Sequence, residues 1–184
     1  MAKGSDGGRD AEPLDLTIIR VLDAPRALVF LMWAEPVHRQ RWCCPKGFTV
    51  AEGSMDFREG GRWESLLRSP NGGDYRLAGC YREILPDARL VFTHAWLDEE
   101  GRAGPETLVT VALEDQGPGT KLTFHQGTFQ SPEARDAHAE GWHETLDNLE
   151  LELQGVTPLA CVQADSEQEG SPSRRLLGFL DRKI

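Results

Sequence analysis

The sequence predicts an α+β fold: a curved antiparallel sheet wrapped around a long C-terminal helix, in the order β-α-α-β-β-β-β-β-β-α. Two stretches predict it. Between Phe48 and Phe129, six short segments rich in alternating apolar and polar residues are separated by Gly, Pro, Asn and Asp, the pattern of an antiparallel meander. After them, Ser131-Pro132-Glu133 opens a helix with a Ser cap, Pro at the first helical position and an acid in the first turn. Ala134, His138, Gly141, Trp142, Thr145, Leu149 and Leu153 follow at steps of three and four, one stripe that demands burial. Glu133, Asp136, Glu140, Glu144, Asp147 and Glu150 form the solvated side, and Gly155 supplies the stop.

The remaining elements follow in chain order. Residues 1–13 are polar and rich in Gly and Asp, which predicts a disordered leader before the domain at 14–155. Leu14 to Leu22 reads as a first strand, ended by Asp23-Ala24-Pro25, with Asp23 placed to cap a helix from Pro25 to Ala34. Glu35-Pro36 interrupts, and a second short helix runs to about Trp42. Strands are expected at Phe48–Phe57, Arg62–Arg68, Tyr75–Leu85, Leu90–Leu97, Leu108–Glu114 and Lys121–Phe129, with a hairpin turn at Ser69-Pro70-Asn71-Gly72-Gly73. Residues 156–184 read as a flexible tail in which Leu176, Leu177, Phe179 and Leu180 leave room for a short amphipathic helix.

Composition excludes several functions. At 184 residues the chain is sized for one domain. Its formal charge of −10 opposes binding to nucleic acid or to an anionic membrane surface. No apolar run approaches the roughly 20 residues of a membrane-spanning helix, and the first residues lack a signal-peptide core. Cys43, Cys44, Cys80 and Cys161 form no C-x-x-C motif, which points to reduced thiols and a cytoplasmic protein. The oligomeric state is left open, a homodimer included.

Several segments, taken in order, resemble one family. They are Arg20 to Arg26, Trp33-Ala34-Glu35-Pro36, Trp42 with Pro45 to Val50, Gly60-Gly61-Arg62-Trp63, Gly79 to Ile84, Arg89 to Thr93, Thr107 to Val111, and Glu140-Gly141-Trp142. Together they make the chain similar to the SRPBCC (START-like) superfamily, in the branch homologous to the activator of the heat-shock-protein-90 ATPase. The resemblance covers about residues 14 to 154 and implies the helix-grip fold, with a cavity between sheet and helix. Cys43-Cys44 stands where that family more often has Trp and Gly. The resemblance implies a fold and a pocket more firmly than a reaction.

Strand alternation assigns the faces. Arg62, Glu64, Arg76 and Arg82 point to water, so Trp63, Leu67, Leu77, Tyr81, Val109, Val111, Leu122 and Phe124 point inward. Phe92, His94 and Trp96 share one face of the fifth strand, expected to be the inner one. Apolar walls with a few placed polar groups describe a small-molecule pocket, although core packing alone also accounts for buried aromatics. The expected ligand-binding set is therefore Trp63, Tyr81, Phe92, His94, Trp96, Phe124, Gln126, Trp142 and Thr145, holding a small apolar or amphiphilic molecule.

Glu83 is the one carboxylate that alternation turns inward, which makes it a weak catalytic candidate. In an apolar cavity its pKa would rise. No nucleophile elbow, phosphate loop or dinucleotide motif is present, and none of the five histidines shows metal-ligand spacing, so no cofactor or metal is expected. Two other readings stay open. One is a cyclase, dehydratase or hydrolase-like activity using Glu83, His94 or Tyr81; the other is a chaperone-associated interaction protein.

Overall fold

Seven strands and three helices follow one another in the expected order across residues 14–155, the part of the chain that the computed structural model describes. The expected leader (1–13) and tail (156–184), with Cys161, lie outside the described residues. The elements are β1 (Leu16–Leu22), α1 (Arg26–Ala34), α2 (Pro36–Trp42), β2 (Thr49–Met55), β3 (Arg62–Arg68), β4 (Asp74–Leu85), β5 (Arg89–Leu97), β6 (Thr107–Gln116), β7 (Gly119–Gly127) and α3 (Pro132–Leu153). The strands form one antiparallel sheet in the order β1-β7-β6-β5-β4-β3-β2. Strands β2 to β7 pair as a meander because short turns join each to the next. β1 pairs with β7, Leu16 opposite Gln126 and Leu22 opposite Thr120, so α1 and α2 carry the chain from one sheet edge to the other.

The hairpin at Ser69–Gly73 is held by side chain as well as backbone. The Ser69 hydroxyl accepts from the Gly73 N–H at 2.9 Å, and Gly72 takes φ +83, a conformation that L side chains rarely adopt. Gly79 on β4 is required for a different reason. A Cβ there would run into the Trp63 indole and the Thr93 carbonyl, so only glycine lets the indole pack this close to the strand.

Both long-range helices bury the faces that their sequences advertise. α1 buries Val29, Phe30, Met32 and Trp33. Its expected cap is corrected: the helix begins one residue later than read, Pro25 becomes the N-cap, and no side chain caps it, because Asp23 lies too far ahead. α3 is capped as read, with the Ser131 hydroxyl accepting from Ala134 N–H at 3.2 Å. It buries His138, Gly141, Trp142, Thr145 and Leu149, and also Leu146 and Asn148, which the stripe left out.

The inner sheet face, α1 and α3 share one core. Trp63, Tyr81, Phe92, Val109, Val111, Leu122 and Phe124 are each at most 1% exposed. Trp33 enters from α1, its ring 4.6 Å from Trp42, 6.2 Å from Phe92 and 6.4 Å from Trp142. Aromatic pairs at such spacing add about 0.5–1.5 kcal/mol each beyond their buried area. The middle of the grip is therefore packed with rings.

Candidate functional site

Polar groups inside that middle are paired with one another. Trp142 donates from Nε1 to Gln126 Oε1 at 2.7 Å, Gln126 donates to Thr107 Oγ1 at 2.8 Å, and Thr107 donates to the His94 carbonyl at 3.0 Å. Arg39 of α2, buried with its guanidinium 4.6 Å above the Trp63 ring, donates to the Tyr81 hydroxyl at 3.1 Å. Burial raises the Tyr81 pKa above the usual phenol value, while Arg39 acts against it. The indole N–H groups of Trp33 and Trp63 are buried without a hydrogen-bond partner among the described residues.

Open space lies at one end of the grip. A cavity of about 250 Å³ sits between the end of β5, the 98–105 loop and the first turns of α3, walled by Trp96, Pro105, Phe129 and Ala134. A second, of about 50 Å³, lies between the 43–45 loop and α3 and is lined by Trp142 and Thr145. His94, Trp96 and His138 line both. The loop at the mouth is tied down by Asp98, which accepts from the backbone N–H of Glu100 and Arg102 and from the Arg102 guanidinium at 2.7 Å. These bonds hold the Asp98 carboxyl below the usual carboxylate range, with the Arg102 side chain the largest cause.

Two histidines meet at the shared wall, their rings 5.5 Å apart. His138 Nδ1 lies 2.8 Å from the Ala134 carbonyl, so it carries the proton and donates. Its Nε2 then accepts from Trp96 Nε1 at 3.2 Å, which makes this imidazole neutral. Burial lowers its pKa in agreement. His94 is 5% exposed and ringed by Trp63, Trp96, Trp142 and His138 at 5.5–6.2 Å. Its ring hydrogen-bonds no other described residue. Burial first, then His138 and Arg39, lower its pKa from 6.5 to about 3. At neutral pH His94 is uncharged, and its side chain lines both cavities.

The predicted residues divide cleanly. His94, Trp96, Trp142 and Thr145 come together at the open end. Trp63, Tyr81, Phe92, Phe124 and Gln126 belong to the filled middle and line neither cavity. Glu83 is a correction. The β4–β5 register shifts between Tyr81 and Glu83, so Glu83 stands opposite Val91 instead of continuing the Tyr81–Phe92 face. Its carboxylate is 44% exposed and 3.6 Å from Arg89. A bulge reverses alternation, and no residue pattern announced this one.

His138, Phe129 and Pro105 were missing from the expected set. His138 could have been found, since it lies on the buried stripe of α3. The loop carrying Pro105 has no periodicity to read. Among the described residues no three His, Cys, Asp or Glu side chains gather as a metal site, and no helix is long and apolar enough to cross a membrane. His38 pairs instead with Glu152 at 3.2 Å, and the Cys44 thiol donates to the Phe48 carbonyl. Among the described residues Cys43, Cys44 and Cys80 form no disulfide.

A seven-stranded antiparallel sheet closed over a C-terminal helix defines a helix-grip protein of the START-like class. Residues 23–154 match one family model, and the chain belongs to that family, the Activator of Hsp90 ATPase homolog 1-like proteins. Among solved structures it is similar to the AHSA1 protein of Silicibacter pomeroyi (26% identity, 76% of this chain and 97% of that one, TM-score 0.71). A Nitrosomonas europaea protein matches with 29% identity over 79% of this chain and 96% of that one, TM-score 0.66. An Arthrobacter aurescens protein shares the fold at 24% identity, covering 88% of this chain and 96% of that one, TM-score 0.72. A search of curated proteins gives no match.

Proposed function

We propose that this chain binds a small, mostly apolar organic molecule at the open end of the grip. One observation carries the reading: His94, buried and with no hydrogen bond from its ring to another described residue, faces adjoining cavities whose walls are largely apolar. A few placed polar groups on an apolar wall orient a small ligand, and His94 is such a group here. The larger cavity, about 250 Å³, falls just below the span of roughly 300–1,000 Å³ usual for drug-sized ligands. A body of one or two rings, or a short acyl chain, suits it.

The enzyme alternative has less support. Acid–base catalysis works best with a pKa near the working pH. His94 at about 3 is too weak a base, the Tyr81 hydroxyl is engaged by Arg39 and pushed upward, and Glu83 faces water beside Arg89. The interaction-protein alternative draws on Ile19 and Val21, which stand exposed on edge strand β1. No feature selects a partner for them.

The test is a screen of amphiphilic aromatics, acyl chains and polyketide-like acids on the wild type and on Ala134→Trp, which fills the mouth. One class is expected to raise the melting temperature with ligand concentration, at a Kd below about 100 μM, and to lose that effect in Ala134→Trp. Binding by no class, or unchanged binding in the filled variant, sinks the reading.

A further inference from the structure

One hydrogen bond belongs to the walls of both cavities. Trp96 Nε1 donates to His138 Nε2 at 3.2 Å, and both side chains line the larger chamber and the smaller slot. Trp96 projects near the end of β5 and is only partly buried, so its ring has room to swing. His138 is fixed, because its Nδ1–H is held by the Ala134 carbonyl one turn back. A ligand that occupies both spaces at once meets this pair.

Parting it exposes two unlike groups. Trp96 Nε1–H can only donate. His138 Nε2 can only accept while its other nitrogen holds the proton. One ligand atom that both accepts and donates satisfies both at once, at ordinary distances of about 2.6–3.2 Å. Building on the pocket reading above, we infer that the ligand class is a hydroxyl-bearing aromatic or alicyclic molecule. Its hydroxyl replaces the Trp96–His138 bond, donating to His138 Nε2 and accepting from Trp96 Nε1.

The same argument ranks its competitors. A hydrocarbon leaves both protein groups unpaired. A ketone or carboxylate takes the Trp96 N–H but sets a second acceptor against the His138 lone pair. The carboxylate also brings its charge into an apolar chamber whose nearest histidines are neutral. Its mouth cation, Arg102, is already bound to Asp98 and Glu100. His94 remains beside the bound ring as a second neutral partner.

Three probes of one shape test this: 2-naphthol, naphthalene and 2-naphthoate, measured by calorimetry or fluorescence on the wild type, Trp96→Phe and His138→Phe. The expected wild-type result is 2-naphthol tighter than either analogue by about tenfold or more, the size of one unmet buried polar group. Each variant keeps a ring in place, so naphthalene should bind nearly as before while the naphthol advantage falls below about threefold. Equal binding of naphthol and naphthalene to the wild type overturns the hydroxyl assignment and leaves the pocket standing. So does an advantage that survives in both variants, or a preference for naphthoate. Failure of all three probes overturns the assignment and the pocket together.

Discussion

From His143 to Glu152, α3 is held from several directions, whereas from Ala134 to Trp142 it borders space. Arg20 of β1 reaches His143 at 2.9 Å, Asp147 at 3.3 Å and Glu150 at 3.7 Å. Asn148 donates to the Cys44 carbonyl, Glu144 accepts from the Lys46 N–H, and Glu152 sits between His38 and Arg41. Leu146 and Leu149 beneath them are fully buried. In the first half Trp142 donates to Gln126 and Trp96 donates to His138, and the second of these bonds lies on the walls of both cavities. One helix thus does two jobs: its second half closes the core, and its first half roofs a chamber. Substitutions in the two halves should separate stability from binding.

The largest effect should fall at the boundary. Trp142→Ala removes a ring stacked between Phe124 and Trp33 and orphans the Gln126 carbonyl, for an expected loss of about 3–5 kcal/mol in urea unfolding. A change near zero would mean that α3 does not grip the sheet there. Acid should act next. Unfolded His94 takes a proton below about pH 6.5, while the folded ring resists until about 3, so stability is complete above 6.5 and falls as pH drops toward 3. Against His94→Phe, the wild type should lose about 2 kcal/mol more between pH 6.5 and 5. His138, shifted the same way, leaves the variant a residual slope. Parallel curves would place His94 in water.

Smaller changes sharpen the contrast. Asn148→Ala cuts the tie from α3 to the loop after α2, at about 1 kcal/mol. Ala134→Trp, in the roofing half, should move the midpoint by less than about 1 kcal/mol because the cavity has room for the ring. A collapse in Ala134→Trp comparable to Trp142→Ala would erase the distinction between the halves.

Much of this architecture was legible in the residues. Turn residues at regular spacing gave the meander, Ser131 and Pro132 marked the start of α3, and the Trp142 stripe named its buried face. What escaped was anything set by three-dimensional fit. Alternation placed Trp63, Tyr81 and Phe92 inward correctly. It could not say that Trp33, arriving from α1, would fill the space in front of them. Nor could it foresee the bulge that turns Glu83 outward, because the extra residue is decided by pairing with β5. Gln126 read as a ligand contact until its partners, Trp142 and Thr107, came into view.

Five tryptophans offer a direct test of the central claim that ligand space lies at the open end and not in the middle. Trp96 and Trp142 line the cavities; Trp33, Trp42 and Trp63 are packed in the filled core. The measurement is a titration of indole-¹⁵N-labelled protein with the tightest ligand from the screen, followed through the five side-chain N–H resonances. The predicted result is that the Trp96 and Trp142 signals move together and saturate, while the other three stay in place. Movement led by Trp33 and Trp63, with Trp96 unmoved, would put the ligand in the middle of the grip and contradict the account.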